Sequence, residues 1–180
     1  ESGRGTRVVG YLGGGGPIVH MRTERGDIRI TPLAPDPGAQ GQVVVAPHAP
    51  RGILVDGVFE AAWLDAPREF IGPDAEMRVM WDQRRFYIAL IARETDWPSA
   101  RHATTDHDDA GIDGDDAFDI AIAHDGHLYR ITANMIGALL DGEALDEADD
   151  LEWESGTRVR HELAAGAWAL EIGIPHVDLG

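Results

Sequence analysis

The densest chemistry in this 180-residue chain lies in "DHDDAGIDGDDAFD", residues 106 to 119. Asp106, Asp108, Asp109, Asp113, Asp115, Asp116 and Asp119 place seven carboxylates in fourteen residues. Such charges repel one another unless something compensates them. A hard cation would do so, and calcium takes about six to eight oxygen ligands from flexible loops of this kind. Asp96, just past the preceding strand, can join them, so the candidate calcium ligands are Asp96, Asp113, Asp115 and Asp116. The spacing is not that of an EF-hand, because no Asp-x-Asp-x-Asp-Gly run closes on a Glu at the twelfth place. A solvated acidic loop without an ion is the simpler alternative. His102 and His107 flank the loop, and His124 and His127 lie three apart, which would suit a transition metal. The second pair straddles an Asp-Gly turn, and that already accounts for it.

Two tryptophans are candidates for stacking on the apolar face of a sugar ring. Trp97 precedes a proline in a polar loop, and Trp153 lies in "LEWESG". The competing reading of each is an indole covering the edge of a core. Trp81 ends a strand and can face either way. Catalysis finds little support, and the chain is expected not to be an enzyme. None of its three serines sits in Gly-x-Ser-x-Gly. Carboxylate pairs abound, but none is marked by a cleft. With no Lys anywhere there is no phosphate-binding loop, and "GGGG" before Pro17 leads into a strand rather than a helix.

Charge and composition narrow the partners. The formal charge is −17, a field that repels nucleic acid and anionic lipid. The hydrophobic fraction of 43% is enough for a packed core. No apolar run approaches the length of a membrane-spanning helix. The absence of Cys removes disulfides and thiol chemistry. The chain opens with Glu1-Ser2 rather than Met, which reads as a mature chain or an excised fragment.

The elements that must position these residues are short strands. Residues 1–33 read as a small β-meander broken by glycines, too small to bury a core alone. Residues 34–50, with Pro35, Pro37, Pro47 and Pro50, read as a stiff linker in which "QVVVA" can pair as an edge strand. From residue 51 the strands lengthen. "AEMRVMWD" alternates Met77, Val79 and Trp81 against Glu76, Arg78 and Met80. "RFYIALIARE" is apolar on both faces, as a central strand would be. "DAFDIAIAHDGHLYRITAN" is a hairpin about Asp125-Gly126, and residues 156–180 form a second hairpin turning near Ala165-Gly166. Helix is expected only at residues 58–64 and in part of 142–150. The fold class is therefore all-β, an antiparallel β-sandwich preceded by the small meander.

The order "VDGVFEAAW", "MRVMWDQRRFYIALIARETD", "DDAFDIAIAHDG", "YRITANMIGALLD", "WALEIGIPHVDLG" resembles family-9-type carbohydrate-binding modules over residues 51–180. The resemblance implies a jelly-roll-like sandwich, sugar binding in several members and frequent calcium. It implies that Trp63, aimed by the Asp56-Gly57 turn, plugs one end of the sandwich, and that Trp168 is a second core position. Sugar-binding members hold a glucose-like ring between two exposed tryptophans. Here one of those places is occupied by Ile112-Asp113-Gly114-Asp115, and the other falls past Gly180, as do the family's final strands. Residues 1–33 are similar to bacterial adhesin-like β-repeats in "GGGGP" and in Thr23 to Ile30.

Two functions follow as expectations. One is a non-catalytic module that binds a polysaccharide or glycan, with calcium as a structural ion, in an extracellular, periplasmic or cell-surface protein. The other is an assembly module without a sugar site, self-associating through exposed sheet edges.

Overall fold

A computed structural model gives the structure of the chain. It describes residues 7–11, 18–24, 27–29, 42–49, 51, 53–71, 74–94, 96–124, 127–145, 148–150 and 153–179. The strands are β1 (Arg7–Tyr11), β2 (Ile18–Glu24), β3 (Asp27–Arg29), β4 (Gln42–Val45), β5 (Glu69–Phe70), β6 (Ala75–Trp81) and β7 (Arg85–Arg93). They continue as β8 (Ala117–His124), β9 (His127–Asn134), β10 (Leu139–Leu145), β11 (Ala148–Asp150), β12 (Arg158–Ala164) and β13 (Ala167–Pro175). The order β12-β13-β7-β6-β5 makes one sheet, and β11-β10-β9-β8-β3-β2-β1-β4 makes the other. Within residues 51–180 every pairing between strands is antiparallel. β3 joins β8 and β4 joins β1 in parallel, so the meander and the 42–46 segment extend the larger sheet.

The two sheets bury one core. On β7, Phe86, Ile88 and Leu90 face inward while Tyr87 and Ala89 face out, the two-residue period expected of a pleated strand. The same alternation puts Trp168, Leu170, Ile172 and Ile174 of β13 inside, with Phe118 against Trp168 at 4.8 Å between ring centroids. The turn between β6 and β7 is closed by Asp82, whose Oδ1 accepts the Arg84 and Arg85 N–H groups at 2.7 and 2.9 Å. Gly166 takes a positive φ of 80° in the β12–β13 turn, where a side chain would be strained.

Two expectations are corrected. Residues 142–145 and 148–150 are not helical. β10 and β11 run through them, because Leu139 to Ala144 pair with β9 and tertiary pairing overrides the helix preference of Ala, Glu and Leu. Trp63 does not plug an end of the sandwich. It sits in a 3-10 helix, Ala61–Asp65, on the outer face of the five-stranded sheet, packed with Met80, Tyr87 and Ala89. Residues 53–66 form a cap over that face. Small residues on that face, Ala89 and Gly173, let the cap approach the sheet closely. A Cβ at Gly173 would come within 2.8 Å of Val55.

Candidate functional site

Connectivity sorts the candidate residues into two groups. Trp97 follows the end of β7, whereas Trp153 leads into the start of β12, and Arg158 of β12 is in register with Gly173 and thence with Tyr87 near the start of β7. Trp97 and Trp153 therefore stand at opposite ends of the sandwich and do not share a site. Asp96, Asp113, Asp115 and Asp116 all belong to the Trp97 end, which the loop of residues 94–116 closes.

At that end the carboxylates are used one by one. Asp115 is buried, and its Oδ1 accepts the Ala103 N–H at 2.9 Å. Its Oδ2 accepts the Thr104 N–H and the Asn134 amide, each at 2.9 Å. Burial pushes the Asp115 pKa up, but the hydrogen bonds from Asn134, Thr104 and Ala103 outweigh it and hold the group below its ordinary value. Asn134, itself fully buried, also donates to the Thr104 carbonyl at 2.8 Å and accepts the Ile136 and Ala138 N–H groups. Asp116 accepts the Arg101 N–H at 2.8 Å. Asp113 pairs with Arg130 at 3.0 Å on the outer face of the larger sheet. Asp109 caps the short 3-10 helix Ala110–Gly114 through the Gly111 N–H. Asp96 is exposed, and its N–H donates to Glu94 at 2.6 Å.

Among the described residues no three or more His, Asp or Glu side chains are grouped to hold a metal ion. Asp113, Asp115 and Asp116 each meet a protein partner, and the four candidate ligands are not gathered at one place. The melting temperature is accordingly expected to be the same in chelator and in millimolar calcium. A rise in calcium would show that the loop rearranges to form a site. Trp97 is half-buried and packs with Ala100 against the core.

The opposite end holds a row of aromatic and polar groups. Trp153 is half-buried, its ring 4.9 Å from that of Tyr129 at 38°. His127, exposed, stacks with Tyr129 at 6.1 Å and 16°. Period two on β9 puts His127 and Tyr129 on one face. Register puts Glu143 of β10 opposite Tyr129, and Glu143 pairs with His127. Asp141, two residues back, is buried and accepts the N–H of Ser155 at 3.0 Å and its hydroxyl. Burial pushes the Asp141 pKa up. The Ser155 hydrogen bonds pull it down, the Asp108 charge adds to the rise, and the net effect is upward. His124 falls opposite His127 in the β8–β9 register, and Asp125-Gly126 lie outside the described residues. Trp81 faces inward, its Nε1 donating to the Ala46 carbonyl at 3.1 Å with His48 edge-on at 4.8 Å.

Sequence reasoning missed Glu171. It lies on the outer face of β13 with no exposed surface, beneath the cap. Its Oε2 accepts the Asp56 and Gly57 N–H groups at 3.2 and 2.8 Å, and its Oε1 accepts the Trp63 indole N–H at 2.8 Å. Arg78 holds the far side of the cap by donating to the Trp63 and Ala66 carbonyls, each at 3.0 Å. The Asp-Gly turn ahead of Trp63 thus presents two backbone donors to one buried carboxylate. Gly57 needs its positive φ of 89°, and a Cβ there would stand 3.0 Å from the His161 carbonyl oxygen. The available signal was the outer face of β13, where Ala169 and Gly173 flank Glu171 and leave room for a covering segment.

No family model matches the chain, and the curated proteins hold no match by sequence. Among solved structures the chain is similar to a family 9 carbohydrate-binding module from Caldicellulosiruptor kristjanssonii in complex with cellotriose, at 12% identity and TM-score 0.47. It is similar to a family 9 module from the same organism in complex with glucose, at 13% identity and TM-score 0.45. A protein from Bacteroides uniformis ATCC 8492 described as carbohydrate-binding matches at 17% identity and TM-score 0.47. These alignments cover 73%, 72% and 69% of this chain, and 66%, 67% and 60% of the respective structures.

Proposed function

We propose that the chain is a non-catalytic module that holds carbohydrate at the Trp153 end of the sandwich. In this reading residues 51–180 are the module, and the meander and the strand Gln42–Val45 before it extend its larger sheet, in a protein of the cell surface, periplasm or extracellular space. No helix among the described residues is long and apolar enough to cross a membrane. The observation that carries the reading is the half-buried Trp153 ring backed by Tyr129. A pyranose face needs an indole held rigidly from behind, with polar groups at its border for the ring hydroxyls. The His127–Glu143 pair and the Asp141–Ser155 pair supply that border.

Affinity electrophoresis against a panel of soluble polysaccharides tests it. Trp153→Ala is expected to weaken retention about tenfold, the equivalent of one lost stacking contact of ~1.4 kcal/mol. Trp97→Ala, at the far end, is expected to leave retention unchanged. The reverse result would move the site to the Trp97 loop, and no retention by any polysaccharide would remove the reading.

A further inference from the structure

We infer that β12 is an interface, and that its occupant is β12 of a second copy of this chain. Among the described residues β12 closes one side of the five-stranded sheet and pairs with β13 alone. Its seven residues match β13 one to one without a bulge. The opposite edge, β5, has only two residues. A regular edge strand of this length offers an uninterrupted row of backbone donors and acceptors to another strand. β12 contains no Pro, and its three charged residues are of both signs rather than one.

The strand is complementary to itself in one register. Antiparallel pairing about His161 sets Arg160 opposite Glu162 of the second copy and Glu162 opposite its Arg160. The same register sets Val159 opposite Leu163 twice. Pairing with β13 shows that these two sets lie on different faces. Val159 is in register with Ile172 and Leu163 with Trp168, both core-facing, whereas Arg160 is in register with Glu171 beneath the cap. One face of the joint would then carry two opposite-charge pairs, and the other two apolar pairs on either side of His161 opposite its copy; the charge pairs and the apolar pairs are each favourable across an antiparallel ladder. Shifting the register by two residues in either direction places Arg160 against Arg160 or Glu162 against Glu162.

Three further observations fit. Leu163 is 49% exposed in the single chain, a large apolar side chain that the joint would cover. The chain carries −17 overall, but residues 158–164 hold Arg158 and Arg160 against Glu162 alone, so the edges are spared the general repulsion. The Arg160 guanidinium donates to the Val159 carbonyl of its own chain at 2.7 Å, which keeps its charge alongside β12, where the partner's Glu162 would lie. The arrangement is closed by a two-fold axis and joins two five-stranded sheets into one continuous sheet.

Sedimentation velocity across protein concentration tests the inference. A monomer–dimer equilibrium is expected, and Glu162→Arg, which opposes two arginine pairs, is expected to raise its dissociation constant roughly tenfold or more. The chain has no Cys, so single cysteines report the geometry. His161→Cys is expected to oxidise to a covalent dimer and Phe70→Cys, on the β5 edge, to stay monomeric. Far-UV circular dichroism establishes that each variant is folded. A strict monomer up to roughly 1 mM, where even weak pairing is populated, overturns the inference. So does a dimer indifferent to Glu162→Arg, or one cross-linked through position 70.

Discussion

Replacing Glu171 by Ala is expected to lower the unfolding free energy by about 3 kcal/mol, read as a fall in the urea midpoint at constant slope. The change leaves the buried Gly57 N–H and Trp63 indole N–H, and the part-buried Asp56 N–H, without their acceptor. Each orphaned buried donor costs ~1–3 kcal/mol. Removing a desolvated charge returns part of that, as does removing its repulsion with Glu60, whose Oε1 accepts the Leu54 N–H and whose Oε2 is buried without a hydrogen bond. Trp63→Phe deletes one donor and keeps most of the packing. A double-mutant cycle between the two sites is expected to show a coupling of about 1–2 kcal/mol. A loss below ~0.5 kcal/mol for Glu171→Ala would mean that the cap is held by apolar contact alone.

The pH dependence of that loss has a definite sign. Burial pushes the Glu171 pKa up from 4.5. Bonds from Trp63 and Gly57 pull it down, Glu60 pushes it up, and the net shift is upward. A carboxyl whose folded pKa exceeds its unfolded one adds stability that is complete below the unfolded value and is lost as pH rises through the folded value. The difference between the wild type and Glu171→Ala is therefore expected to be largest in acid and to narrow toward neutrality.

What the sequence makes legible here is what period two encodes. The inward sets Met77 with Val79 and Leu170 with Ile172 follow from alternation, the two apolar faces of β7 mark it as a central strand, and the Asp82 and Gly166 turns follow from turn chemistry. β10 was not legible, because "LLDGEAL" has helix-compatible residues and only its pairing with β9 decides the matter. Nor could composition show that Trp97 and Trp153 stand at opposite ends, since that depends on the register of β12 on β13 and β7. The Asp-rich loop was legible as a concentration of charge but not as a set of separate hydrogen-bond acceptors. Whether a carboxylate meets an ion, an arginine or a backbone N–H depends on contacts such as that of Asp115 with Asn134, nineteen residues away.

The second large effect lies at that contact. Asp115→Ala is expected to cost about 3 kcal/mol, because the Ala103 and Thr104 N–H groups and the Asn134 amide all lose one carboxylate. The damage should spread along a defined path. Asn134 also fixes the β9–β10 turn through the Ile136 and Ala138 N–H groups, so hydrogen exchange is expected to speed up at residues 135–138 as well as at 103–104. Asn134→Ala should reproduce both effects, and combining the two substitutions should cost less than their sum. The pH signature is opposite to that of Glu171. The Asp115 pKa lies below its ordinary 3.8, so its contribution is present above that value and is lost as pH falls through the folded pKa. The gap between the wild type and Asp115→Ala should accordingly narrow in acid, under the conditions where the Glu171→Ala gap is widest. Urea titrations of the two variants at pH 3.5 and pH 7 separate the cases. Parallel behaviour of the two gaps would mean that at least one of these carboxylates is not held as its hydrogen bonds imply.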